Sequence, residues 1–173
     1  AQSQRETQGR VKTMLDWYPH VGVDLHEMGS SPTYFFPPPM DPVNKNIPQN
    51  VVDWWSTYAA ANAAAFDAPG WSYFRRVGYD EFYPGYTSSW PISTGAIGMT
   101  YEQASSAGGA IRRSDGTVLT LREAASHHYA AAWATALTTG RNRARRINDY
   151  IEFRRTAVTE GARGPVRAVV FER

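Results

Sequence analysis

Cysteine is absent from this chain. Disulfides, thiol nucleophiles and every cysteine-based zinc site are therefore excluded. No apolar run approaches the length of a membrane span, so no segment is expected to cross a bilayer as a helix. The sequence has no glycine-rich phosphate loop, no nucleophile elbow, no His-Glu-x-x-His and no His-x-x-Glu pair. A strong excess of one charge is missing too: 18 basic residues face 16 acidic ones, a net charge of +2. The pI of about 9.0 raises the question of nucleic acid. The basic residues concentrate in "GRNRARRINDYIEFRR", where Asp149 and Glu152 interrupt them. That pattern suits the solvated face of a helix better than a nucleic-acid footprint.

What remains is a chain of 173 residues, 42% hydrophobic and 20% charged, as in one soluble domain with its own core. Residues 3–18 read as an amphipathic helix stopped by Pro19, and Val21 to Leu25 as a short buried strand. Residues 29–49 hold six prolines and read as an irregular surface loop. A helix restarts near Val51 with Asn50 as its expected N-cap; its body, "VVDWWSTYAAANAAAF", is apolar nearly all round and should be buried. Residues 71–95 are aromatic, contain glycine and lack a period, as in a long ordered loop. "AIGMTYEQA" reads as a second buried strand and "IRRSDGTVL" as a hairpin turning at Asp115-Gly116. Thr120 to Glu123 has capping-box spacing and opens an Ala-rich helix running to about Gly140. A further helix passes through Ile147, Tyr150 and Ile151, the chain breaks at Gly161 and Gly164-Pro165, and "VRAVVF" forms a last strand. The alternation of helices and strands is an α/β pattern: part of a mostly parallel or mixed sheet with flanking helices.

Two polar groups fall at the ends of the two apolar strands, His26 and Glu102. In open α/β sheets ligands bind beyond the carboxyl ends of the strands. Asp24 lies two residues before His26, so on a strand it shares that face and could orient a metal-bound imidazole. Glu27 points the other way. The plain alternative for His26 is a hydrogen-bonded histidine at a strand end. For Glu102 it is an ion pair with an arginine, because a carboxylate after a buried strand is costly unless solvated, paired or functional. His127 and His128 are adjacent on a helix and face different directions, so both read as structural. His20 reads as a surface residue.

"DLHEMGSSPTYFFPPP", "YDEFYPGYTSSWP" and "GAIGMTYEQA", in this order and spacing, resemble the C-terminal half of the M14-type zinc carboxypeptidases, in a bacterial-like branch. The resemblance covers about residues 1–160; residues 161–173 are left as a following segment or final strand. It implies a zinc-exopeptidase-like fold and one zinc ion in the complete enzyme. It implies that His26 in "VDLHE" is the downstream metal ligand with Asp24 behind it, and that Glu102 in "MTYE" is the catalytic glutamate with Thr100 on the pocket side. The loop "FYPGYTSSW", anchored by Trp90, would supply a substrate-capping tyrosine, and the spacing leaves both Tyr83 and Tyr86 as candidates. Ser88 falls near the position that sets side-chain preference. Being small and uncharged, it implies no taste for a strongly basic or acidic C-terminal residue.

The departures are informative as well. The family's His-x-x-Glu ligands and its carboxylate-binding Asn-Arg pair are absent, and both belong upstream. The expectation is a fragment of a larger domain, which lacks the N-terminal half of the catalytic domain and acts in the complete protein on a peptide substrate. Neither nucleic acid nor a membrane span is expected. A secreted or periplasmic home follows from the resemblance alone. Two other readings stand beside this one: a related zinc amidohydrolase or deacylase, and a non-catalytic binding module that has lost its metal.

Overall fold

The structure is a computed structural model that describes residues 3–166 and 168–171. Helix α1 spans Arg5–Trp17 and ends where Tyr18 turns left-handed, its N–H closing on the Met14 carbonyl at 2.9 Å. Strand β1, Val21–Met28, follows directly. It is three residues longer than its apolar run because it pairs in parallel with β5, Ile97–Ala104, along its whole length, from Val21 opposite Ile97 to Met28 opposite Ala104. The backbone ladder is indifferent to side-chain polarity, so His26 and Glu27 lie within the strand and not after it. β1 is also less buried than its composition suggests: Leu25 is 47% exposed.

The segment 29–49 contains two strands that its prolines hid: β2, Tyr34–Phe35, and β3, Met40–Val43. β2 precedes the proline run and pairs antiparallel with β5, giving a three-stranded mixed sheet in the order β1-β5-β2. β3 lies on a separate small sheet, where proline is tolerated at an edge. It pairs in parallel with β4, Asp80–Glu81, so the loop 71–95 is tied down at its centre. A short helix, α3, Ser89–Ile92, occupies the end of that loop.

The long apolar helix α2, Gln49–Asp67, packs against one face of β5 together with the Ala-rich α4, Leu121–Arg141. Trp54, Trp55, Tyr58 and Phe66 are all buried there. α2 begins one residue before Asn50, capped by Pro48, whose carbonyl accepts from the Val51 N–H at 3.0 Å. Asn50 therefore does not cap it. α4 starts as its capping box requires, with the Thr120 hydroxyl accepting from the Glu123 N–H at 3.2 Å. Polar pins fix the layers. Trp55 Nε1 donates to the Gly98 carbonyl at 2.9 Å, and the Tyr101 hydroxyl meets Asn62 of α2 at 2.9 Å and Thr135 of α4 at 2.7 Å. Burial pushes the Tyr101 phenol up to about 12, so it stays a neutral hydrogen-bonding group.

Between β5 and α4 lies the hairpin of β6, Ala110–Arg112, and β7, Val118–Thr120, as the Asp115-Gly116 turn requires. Helix α5, Arg143–Arg163, runs through Gly161 without breaking. Most of its basic run is solvated, but Arg146 is buried against Trp54, with its Nη2 donating to the Gly95 carbonyl at 3.1 Å. No strand is seen over the expected last strand among the described residues. Val166 and residues 168–171 are irregular, Val169, Val170 and Phe171 are exposed, and Arg167 lies outside the described residues. A strand needs a partner's ladder, and none of the described strands offers them one. The architecture is mixed α/β: small mixed sheets and, among the described residues, five helices.

The opposite face of β5 is covered by the loop that carries α3. A Cβ built on Gly98 would sit 1.7 Å from the Ser88 carbonyl oxygen, so only glycine allows this approach. At Gly22 of β1 a Cβ would meet Pro91 at 3.6 and 3.7 Å, an ordinary contact. Gly98→Ala is therefore expected to destabilise the protein by about 1–3 kcal/mol through overpacking against backbone. Gly22→Ala should be neutral or slightly stabilising, by up to about 0.5–1 kcal/mol, since alanine loses less entropy in a strand. Denaturant unfolding of the two variants checks the contrast.

Candidate functional site

Parallel pairing places Asp24 opposite Thr100 and His26 opposite Glu102. Side chains alternate along a strand, so all four stand on the sheet face turned away from α2 and α4. At the carboxyl end of this face the His26 Nδ1 lies 3.0 Å from Glu102 Oε2 and 2.9 Å from the Glu27 carbonyl. Both partners accept, so Nδ1 carries the proton and Nε2 keeps its lone pair in the neutral ring.

The two partners differ in exposure. Glu102 is 5% exposed, whereas the His26 side chain is 59% exposed. The hydrogen bond to Glu102 is the main cause that raises the imidazole above its usual range. Burial raises the Glu102 carboxyl, and the hydrogen bond to His26 only partly offsets it. Asp24 raises both groups through its charge and makes no direct hydrogen bond to His26 among the described residues. The group that orients the imidazole is thus Glu102, in addition to the Glu27 carbonyl, and Asp24 acts at longer range.

His26 and Glu102 open into a cleft of about 310 Å³. Asp24, Thr100, Ser88 and Tyr86 line it as well, so the structure brings together all but one of the candidate residues. Tyr83 is the exception: it is exposed and stacks edge-on to Tyr86, ring centroids 5.4 Å apart. Gly85 permits this fold-back, because a Cβ there would lie 2.5 Å from the Tyr83 ring. Trp90 is half-buried and its N–H donates to the Tyr86 carbonyl at 3.0 Å, tying the loop to α3. A larger groove of about 840 Å³ runs between α2 and α4, but alanines, Trp71, Tyr129 and Trp133 dominate its lining and no acid–base pair meets there.

Three further residues of the site were not legible from spacing. Asp80 and Glu81 line the cleft beside Ser88, with Glu81 buried although it sits in an open-looking aromatic loop. His128 bridges the Tyr34 hydroxyl at 2.9 Å and the His26 carbonyl at 3.1 Å, and so fixes the strand end from behind. Its neighbour His127 is buried with Nδ1 on the Gln103 side-chain oxygen at 2.8 Å. His20 is half-buried, packed edge-on to Tyr150 with ring centroids 4.4 Å apart.

A catalytic zinc takes three protein ligands and a water. Among the described residues no three histidine or acidic side chains converge closely enough to hold a metal ion. The described residues therefore do not make a zinc site by themselves. No protein-family model, no curated protein and no solved structure matches the chain.

The His26–Glu102 pair carries a testable electrostatic signature. With chelator present, the imidazole proton resonances should titrate above the ordinary value of about 6.5, and Glu102→Gln should bring the midpoint back down. A raised folded-state pKa means that the folded chain binds more protons. The stability linked to His26 is then present below about pH 6.5, down to the pH at which Glu102 protonates, and is lost as pH rises through the raised midpoint. NMR titration of both proteins measures it; equal midpoints would show that Glu102 does not hold His26.

Proposed function

We propose that this chain is the C-terminal part of a zinc carboxypeptidase-like hydrolase, in which His26 is one metal ligand and Glu102 the general base. The observation that carries this reading is the register of β1 and β5, which delivers an imidazole and a buried carboxylate to one cleft at the carboxyl ends of two parallel strands. The motifs that resemble the M14 family provide every residue of that arrangement. β1 also stands at the edge of its sheet, with no described strand on its outer side. Edges of parallel strands are normally covered, which suits further sheet supplied by the missing N-terminal half. The remaining ligands would come from there.

Zinc, when bound in the complete protein, supplies Lewis acidity and an activated water. Glu102 provides the proton transfer. In this structure its Oε2 accepts from His26 Nδ1; to act on a water held by a metal at Nε2, on the other side of the ring, the carboxylate would leave that bond. As the water oxygen adds to the scissile carbonyl carbon, Glu102 takes its proton; as the C–N bond breaks, that proton passes to the leaving amine. Burial moves this carboxyl toward the operating pH, where a base is most effective. His26 is held in one tautomer by Glu27 and Glu102 and presents Nε2 as the free ring nitrogen. Tyr86, on the loop that forms the far wall, is the better placed of the two tyrosines to close over a peptide C-terminus.

In the complete protein His26→Ala should lose metal and activity together. Glu102→Gln should keep metal and substrate binding but lose turnover by ~10²–10⁴-fold, the range for a general acid–base group. Metal content, turnover and melting temperature measured on both variants decide it. If Glu102 were only a buried polar partner, the Gln variant would melt lower and turn over normally per folded molecule.

The isolated 173-residue chain should bind zinc weakly, because one imidazole cannot supply the affinity of three ligands. Calorimetry showing tight stoichiometric binding would mean that ligands within this chain, Asp24 or Glu27 first, complete the site.

A further inference from the structure

We propose that the groove between α2 and α4 is a docking site for an amphipathic helix of a separate protein chain, apolar on its buried face and acidic at both ends. This surface lies on the far side of the two helices from the sheet, so the site is independent of the His26–Glu102 cleft.

Tyr58 of α2 meets Thr139 of α4 at 2.9 Å and Phe66 packs on His127, so the two helices run antiparallel. Their shared outer surface is the groove of about 840 Å³. Its floor is alanine: Ala61, Ala64 and Ala65 from α2, Ala130 and Ala134 from α4. Its wall is a ridge. Tyr129, Trp133 and Leu137 recur every four residues on α4 and are 70%, 55% and 39% exposed. Side chains four apart on a helix form a continuous row, and such rows pack into the grooves of another helix. Single exposed apolar residues are ordinary, but three large ones aligned beside a floor of small ones mark an interaction surface.

Charge selects the occupant. Arg122 and Arg141 line the groove from the two ends of α4, about 28 Å apart along its axis. No acidic residue lines the groove, and neither arginine joins an ion pair among the described residues. A second copy does not fit: two-fold pairing of the ridge on itself runs antiparallel and sets Arg122 beside Arg141 at each end, like charge against like. More of the sheet does not cover it either. α2 and α4 are already the helical layer on β5, and further sheet beside β1 brings helices alongside that layer and not on top of it. A helix of another chain, with aliphatic residues at i, i+3, i+4 and i+7 and carboxylates about five turns apart, satisfies both the ridge and the two cations.

The test uses two synthetic helices of about 22 residues, built from Ala, Leu and Gln with one leucine face. One carries glutamates at both ends and the other glutamines, and each is titrated calorimetrically into the complete protein at low salt. The acidic helix should bind about fivefold tighter or more, the scale of two exposed ion pairs, and the difference should shrink in about 0.5 M salt. Trp133→Ala should weaken both helices by about tenfold or more and change the melting temperature little, because the side chain it removes is exposed. Arg122→Glu combined with Arg141→Glu should reverse the preference, so that a lysine-ended helix binds better than the glutamate-ended one. If that double variant does not fold, Arg122→Glu alone, in a first helical turn that favours an acid, should bring the acidic and neutral helices to within about twofold of each other. Equal affinity of the two helices for the wild type, affinity unchanged by Trp133→Ala, or no binding to the complete protein would overturn the proposal. So would a dimer in sedimentation velocity that Trp133→Ala dissolves, since it gives the groove to a second copy.

Discussion

The parallel ladder between β1 and β5 is the constraint on which the rest of the molecule depends. Its register sets His26 opposite Glu102 and Asp24 opposite Thr100, and a slip of one residue would turn every one of these side chains to the wrong face. The ladder is held from both sides. α2 and α4 grip the buried face of β5 through Trp55, Asn62 and Thr135, and the loop carrying α3 lies on the other face through the contact at Gly98. β1 has few buried side chains of its own, so its position is inherited from β5.

The site has a division of labour that follows from burial. The exposed imidazole is oriented by a buried acid, and that acid is kept uneasy by its surroundings. A second buried acid, Glu81, sits on the far wall with only hydroxyl partners. The cleft thus holds two buried carboxylates, one bonded to an imidazole and one bonded to two hydroxyls.

Much of the site was readable from the sequence because it lies on periodic elements. An apolar run that leads into Asp-x-His-Glu and another that leads into Thr-Tyr-Glu locate two strands, which continue past His26 and Glu102, and alternation then fixes which residues share a face. The capping box at Thr120 and the apolar surround of α2 likewise have direct physical causes. The loops were less legible. β2 and β3 are short strands among prolines, where tertiary pairing overrides local preference. Glu81 carries no periodic signal; it is buried with its carboxylate bonded to Ser88 and Ser89, across seven and eight residues that spacing does not link. Arg146 was hidden in the same way, as a buried residue within a run of solvated arginines.

The account stands or falls on whether the Glu102 carboxylate itself transfers the proton. The most direct measurement is chemical rescue in the complete, metal-loaded protein. Glu102→Ala should be inactive toward peptides and should regain turnover in proportion to added formate, which restores a carboxylate to the space vacated in the cleft. Wild-type turnover by folded Glu102→Ala in the absence of formate would contradict the account.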